Sequence, residues 1–292
     1  MATTIEAAAF VPGRRHTWRG QRELADTAIK RSVSQAGLVP GDVDLLINTG
    51  LYHERNLGEP AMAALIQQDV GANPEDPHAG GHGTFSFDVA NGTCGPLTAL
   101  QIADGFLRAG TIKHAVIVAG DARPDRRPRS RFPFRAGGAA AVCRWAADGT
   151  GVAGFHWENA PEGDDLFRAD VVFERGRNAL RIEHDPRFGD QAAALAAKAA
   201  SALLAELDTG IGTIDLVVPS PLAPPFLYAL PAYLGIAPER LVNPPGGSGH
   251  HTASLLIALA AAEATGRLRD AHRVLLVCAS AGITAGAALL VR

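Results

Sequence analysis

Residues 91–110 read NGTCGPLTALQIADGFLRAG, and residues 246–266 read GGSGHHTASLLIALAAAEATG. Each is a glycine-rich turn opening an apolar helix. A strand follows each, KHAVIVAGD (113–121) and HRVLLVCAS (272–280), and then a strand of small residues, GGAAAVCR (137–144) and AGAALLVR (285–292). Working back from the helices, GDVDLLINTG (41–50) matches GTIDLVVPSP (212–221): a turn glycine, an acidic residue, then a short apolar run. An alanine-rich helical stretch precedes each, near residues 20–36 and 191–207. A second helical stretch ending in glycine follows, EPAMAALIQQDVG and PFLYALPAYLG. The chain therefore repeats itself. Two copies of one helix–strand alternation predict two stacked α/β halves related by a pseudo-twofold axis. Residues 1–150 form the first half, 191–292 the second, and the polar stretch 151–190 links them. Helices apolar around most of their circumference belong in the interior. The duplication sets two helix N-termini in equivalent places, one carrying Cys94 and the other His250 and His251.

Bulk composition narrows the class. The 292 residues are 47% hydrophobic and 20% charged, enough for a large core. A net charge of −3 argues against a nucleic acid or a membrane surface as partner of the whole chain. No apolar run reaches the ~18 residues that span a bilayer. The N-terminal arginines follow the apolar stretch, the wrong order for a secretory signal, so a cytoplasmic location is expected. Cys94, Cys143 and Cys278 are too few and too far apart for a disulfide framework or a zinc site, and no metal is expected. Cys143 and Cys278 lie in strand-like apolar runs and read as small buried hydrophobes.

Cys94 stands between Asn91-Gly92-Thr93 and Gly95-Pro96, at the start of a helix where proline is at home. A cysteine there can be a thiolate stabilised by the helix dipole, with nearby N–H groups to hold an oxyanion. It can equally be a buried plug in a tight turn. His250 and His251 occupy the matching turn, where a histidine can take a thiol's proton or support an oxyanion, or simply cap the turn. The run 123–135 holds Arg123, Arg126, Arg127, Arg129, Arg131 and Arg135. It reads as a solvated loop or as a site for the phosphates of coenzyme A or an acidic carrier protein. His78 and His82 sit in a proline- and glycine-rich loop with no metal expected.

The stretch SFDVANGTCGPLTALQIADGFLRAGTIKHAVIVAGD resembles the β-ketoacyl-ACP synthase III branch of the thiolase superfamily. FRAGGAAAVCRW and YLGIAPERLVN resemble further motifs of that branch. The resemblance implies a thiolase-like fold layered α-β-α-β-α, an acyl-Cys intermediate, and a dimer, either of like chains or with a second synthase-like chain. No cofactor is implied, acyl-CoA or the phosphopantetheine of an acyl carrier protein being substrate. Counted from Phe87-Asp88 the family's cysteine falls on Thr93; counted from Asn91, as in thiolases, it falls on Cys94. Ser220-Pro221-Leu222-Ala223 stands where the family has H-Q-A-N, so that histidine is absent. Gly249-His250-His251-Thr252 replaces G-N-T-S and is similar to the G-H of thiolases. Part of the synthases' N-terminal region, with much of the coenzyme A entrance, is expected to be missing. Similarly shortened members serve as subunits beside a second synthase-like chain.

The resulting expectation is an acyltransferase of the ketosynthase kind. Cys94 carries the acyl group, and His250 and His251 support the thiolate and the oxyanion. Asn91, Thr93, Gly249, Ser220, Arg123 and Arg135 contact the substrate. Glu59 falls where the synthases carry a loop that crosses the dimer interface. The olefin-forming thiolases look similar there, which implies a base; a helix-start residue is the plainer reading. The alternatives are a non-catalytic subunit of a heterodimer and an acyltransferase to an alcohol or amine.

Overall fold

The computed structural model describes residues 2–13, 20–53, 59–73, 83–123, 132–174, 176–221 and 223–292. One sheet runs β1 (Ala2–Pro12), β5 (Gly137–Ala146), β4 (His114–Asp121), β2 (Leu45–Asn48), β3 (Phe85–Asp88) in spatial order. The other runs β6 (Gly151–Asn159), β11 (Thr284–Val291), β10 (Arg273–Ser280), β9 (Leu216–Ser220). In both, each of the first three strands is antiparallel to its neighbour among them, and the next is parallel to the strand beside it. The counterpart of β3 is a single parallel bridge, Val217 to Leu241. Matching aspartates do matching work. Asp44 accepts the backbone N–H groups of Lys113 and His114 at 2.6 and 3.0 Å. Asp215 accepts those of His272 and Arg273, both at 2.9 Å. The acid before each short strand thus pins the start of its longer parallel neighbour.

Side chains alternate across each strand and so divide the core into layers. Val116 and Val118 of β4 pack with Leu24 and Ile29 of α1 (Gln21–Gln35) and Ile66 of α2 (Met62–Val70). Ala115 and Ile117 face the opposite way, onto α3 (Gly95–Arg108) and α6 (Ser254–Ala264). From the second sheet, Leu276 and Cys278 of β10 join that middle layer. Leu275 and Val277 pack instead on α4 (Phe188–Glu206) and α5 (Pro224–Leu234). The layering is α-β-α-β-α. Helix α6 is buried from Ser254 through Ala260, as its apolar circumference predicts. Helix α3 is buried on one face only, with Gln101, Gly105 and Arg108 exposed.

The segment 151–190 is not a link. β6 is the second sheet's equivalent of β1, paired along β11, so the second half begins at Gly151. Its polarity misleads because an edge strand leaves Phe155, His156 and Trp157 half-buried. After it, β7 (Phe167–Glu174) and β8 (Arg177–His184) form an antiparallel hairpin outside both sheets. β1 pairs with β5 along its length at the edge of the first sheet. Among the described residues no helix is long and apolar enough to cross a membrane.

Candidate functional site

The two central strands end on each other's helix turns. Asp121, the last residue of β4, is buried and accepts hydrogen bonds from the N–H groups of His251, Thr252 and Ala253 at 2.7, 2.9 and 3.0 Å. The Thr252 hydroxyl adds a fourth at 2.7 Å. One carboxylate thereby satisfies the successive N–H groups of the turn that leads into α6. At the equivalent end of β10, the carbonyl of Ala279 accepts the Thr93 hydroxyl ahead of α3. Its neighbour Ser280 lies against Gly92, whose φ of +50° favours glycine and where a Cβ would collide with the Ser280 hydroxyl. Sequence reading missed Asp121, although a lone acid closing an apolar strand was the available signal.

Cys94 does not sit where the acyl-enzyme reading needs it. The residue is fully buried in the middle layer, and its thiol donates to the Thr284 carbonyl at 3.7 Å. Burial, reinforced by contact with Cys278, pushes that thiol well above its ordinary range, opposite to the expected lowering. The helix dipole loses because desolvation of a thiolate in an apolar layer is the larger effect. Among the described residues no imidazole is hydrogen-bonded to the Cys94 sulfur. Thr93 and Ser220 are likewise buried, and the Ser220 hydroxyl donates to the Thr93 carbonyl at 2.9 Å. Neither lines either cavity described below; together they clasp the two halves.

The histidines separate. His250 packs edge-on to Phe10, ring centroids 5.7 Å apart. A Cβ at Gly137 would come within 2.8 Å of the His250 ring, so glycine there makes its room. His251 instead lines a cavity of about 290 Å³ with Tyr52, Asn91, Gly92, Phe167 and Ser280. Its ring lies 4.5 Å from that of Phe134 and 5.2 Å from that of Tyr52, and stacks over Phe167 at 6.3 Å. The buried Nδ1 of His251 has no hydrogen-bond partner among the described residues. Burial lowers its pKa to about 4 against the opposing charge of Asp121. Burial is also the main reason the His250 pKa is lowered. Tyr52 is pushed well up by burial, then by the Asp121 charge, and stays protonated. At neutral pH the cavity therefore offers an uncharged imidazole and a phenol between aromatic walls. That chemistry suits a neutral carbonyl-bearing group on an apolar chain.

A second cavity, of about 320 Å³, shares Phe167 as a wall and is lined by Phe134, Arg135, His184, Phe188 and Gly249. The Arg135 N–H donates to the Gly249 carbonyl at 2.6 Å, which holds the arginine against the turn before α6. Asn91 lines the first cavity and donates to the Thr98 hydroxyl at 3.0 Å. Arg123 is half-buried just past β4 and lines neither cavity. Arg126, Arg127, Arg129, Arg131, His78 and His82 lie outside the described residues. Glu59 is exposed ahead of α2 and lines neither cavity of its own chain. It does not cap α2 either: the N–H groups of Met62 and Ala63 are taken by Asp88 at 2.8 and 2.9 Å. Glu59→Gln is accordingly expected to change the unfolding free energy by no more than about 0.5 kcal/mol in a urea titration. Asp88→Ala is expected to cost at least about 1 kcal/mol. Equal losses would contradict this division of labour.

Family comparison agrees with the geometry of the fold. Residues 87–161 match the family model of 3-oxoacyl-[acyl-carrier-protein (ACP)] synthase III, and residues 204–292 match the model of its C-terminal part. The chain is 28% identical to a β-ketoacyl-[acyl-carrier-protein] synthase III of Coxiella burnetii, covering 91% of this chain and 82% of that one. It is 26% identical to the protein of that name from Acidiphilium cryptum, covering 99% and 92%. Among solved structures it superposes on OleA of Xanthomonas campestris with a TM-score of 0.82 at 19% identity, covering 100% and 99%. A 3-oxoacyl-(acyl carrier protein) synthase III, FabH, of Xanthomonas oryzae gives 0.81 at 20% identity with the same coverage. One similar OleA structure holds lauric acid and lauroyl-CoA.

Proposed function

The chain belongs to the thiolase superfamily as a β-ketoacyl-ACP synthase III-like member, and from that premise we propose that it binds acyl thioesters at the His251 cavity without storing the acyl group on Cys94. In this reading it is the non-nucleophilic chain of an acyl-transferring, condensing pair, and a second synthase-like chain supplies the nucleophile. The acyl group arrives on coenzyme A or an acyl carrier protein, in the cytoplasm.

One observation carries the reading. The two positions that the family motifs assign to the nucleophile and the H-Q-A-N histidine, Thr93 and Ser220, are buried, with the Ser220 hydroxyl given to the Thr93 carbonyl and the Thr93 hydroxyl to the Ala279 carbonyl. Cys94 beside them is turned into the core with its thiol held neutral. Direct acyl transfer to an alcohol or amine is less well supported, since an imidazole with a pKa of about 4 is a weak base at neutral pH. His251 serves better as a hydrogen-bonding group for the thioester carbonyl.

Intact-mass analysis and calorimetry with a series of acyl-CoAs test this directly. Saturable binding with no gain in mass is the expected result. His251→Gln should weaken that binding roughly tenfold, the value of about one hydrogen bond to a buried group. An acyl adduct on the wild-type chain that disappears in Cys94→Ala would overturn the reading.

A further inference from the structure

The hairpin β7–β8 carries a sequence pattern of which the core uses only the inner end, Phe167 and Ile182. Residues 167, 169, 171 and 173 share one face of β7, because side chains alternate. They are Phe167, Ala169, Val171 and Phe173. Cross-strand neighbours Ile182 and Leu180 stand opposite Ala169 and Val171 and extend the apolar face onto β8. The reverse face is charged on either side of the half-buried pair Val172 and Ala179: Arg168 opposes Glu183, Asp170 opposes Arg181, and Arg181 donates to Glu174 at 2.6 Å. A hairpin with a solvated charged side and an apolar other side has something to cover.

What the apolar face continues into identifies its occupant. Phe167 is buried against His251 and walls both cavities, and Ala169 lines the His251 cavity. Beyond them the same face emerges into solvent, with Val171 61% and Phe173 74% exposed. The strip thus leads from the cavity mouth outward without a polar interruption on β7. The cavity itself, about 290 Å³, holds on the order of ten groups the size of a water or methylene at about 30 Å³ each. A long acyl chain with its carbonyl at His251 outgrows it.

We infer that the apolar face of β7–β8 is a rail for the distal part of a long acyl chain, so that the site takes long-chain acyl thioesters. This rests on the acyl-thioester reading of the His251 cavity. The chain leaves the cavity past Ala169 and lies along Val171, Leu180 and Phe173, one side on protein and one side in water.

Calorimetry of the full-length chain with saturated acyl-CoAs from four to sixteen carbons, each below its micellar concentration, separates the possibilities. The expected result is an affinity that keeps rising about twofold per methylene past ten carbons, half-way to the roughly fourfold of full burial. In a Val171→Ser, Phe173→Ser double variant the rise should stop near ten carbons. Val172→Ser, on the opposite face, should keep the full rise. If the short acyl-CoAs do not bind at all, the acyl-thioester reading fails and the rail with it. If they bind but the double variant retains the wild-type rise, the rail alone is overturned. Self-association in sedimentation that the double variant abolishes, with the rise unaltered, would assign the face to a second copy instead.

Discussion

Replacing Asp121 by alanine is expected to lower the unfolding free energy by about 4 kcal/mol or more. Its carboxylate is 1% exposed and accepts four hydrogen bonds, three of them from the first backbone N–H groups of the α6 turn. Removing it leaves those donors buried and unpaired, at about 1–3 kcal/mol each before relaxation. The affected turn carries His251, so acyl-CoA binding should fall with stability. Asp121→Asn should recover only part of the loss, because an amide offers one acceptor oxygen where the carboxylate offers two. Urea unfolding of the three proteins is the measurement. A loss below about 1 kcal/mol in the alanine variant would mean that the turn holds itself without the strand.

Stability should also fall steeply with acid, through His251. Its folded-state pKa is about 4 against an ordinary value of 6.5. Between those values the unfolded chain binds a proton that the folded chain refuses. The contribution is therefore complete above pH 6.5 and lost as pH falls towards 4. The gap is worth about 3 kcal/mol. His250, lowered for the same reason, acts in the same direction. His251→Gln should remove most of the slope between pH 6.5 and 4, and the control is the change in unfolding free energy across that window. A variant with the wild-type slope would show that His251 is hydrated and titrates normally.

Much of the fold was legible in residues 41–50, 91–121 and their counterparts. The repeated acid before a short strand marked the equivalence of Asp44 and Asp215, whose matching hydrogen bonds only the structure shows. The wholly apolar run of α6 anticipated its place in the middle layer. The stretch 151–190 was misread because an edge strand and a free hairpin mix polar with apolar residues, so the signal of burial is absent from them. The site was legible as a place but not as an arrangement. The two helix turns do meet, yet His251 faces the cavity rather than His250, and Gly92 and Asn91 face it rather than Cys94.

Local sequence determined the alternation of elements, the duplicated order of strands and the enclosure of α6, though not the exposed face of α3, since periodicity and residue size act over a few neighbours. Tertiary structure alone decided which side chain of each turn points where. Thr93 and Cys94, adjacent in a helical turn, project about 100° apart, and His250 is extended where His251 enters the turn before α6, so neither pair can be told apart by position in the chain. Contacts from the other half made the choice. The Ala279 carbonyl holds Thr93, Cys278 and the Thr284 carbonyl enclose Cys94, and Asp121 orients the turn that turns His251 into the cavity. Every one of these partners lies more than a hundred residues away in sequence.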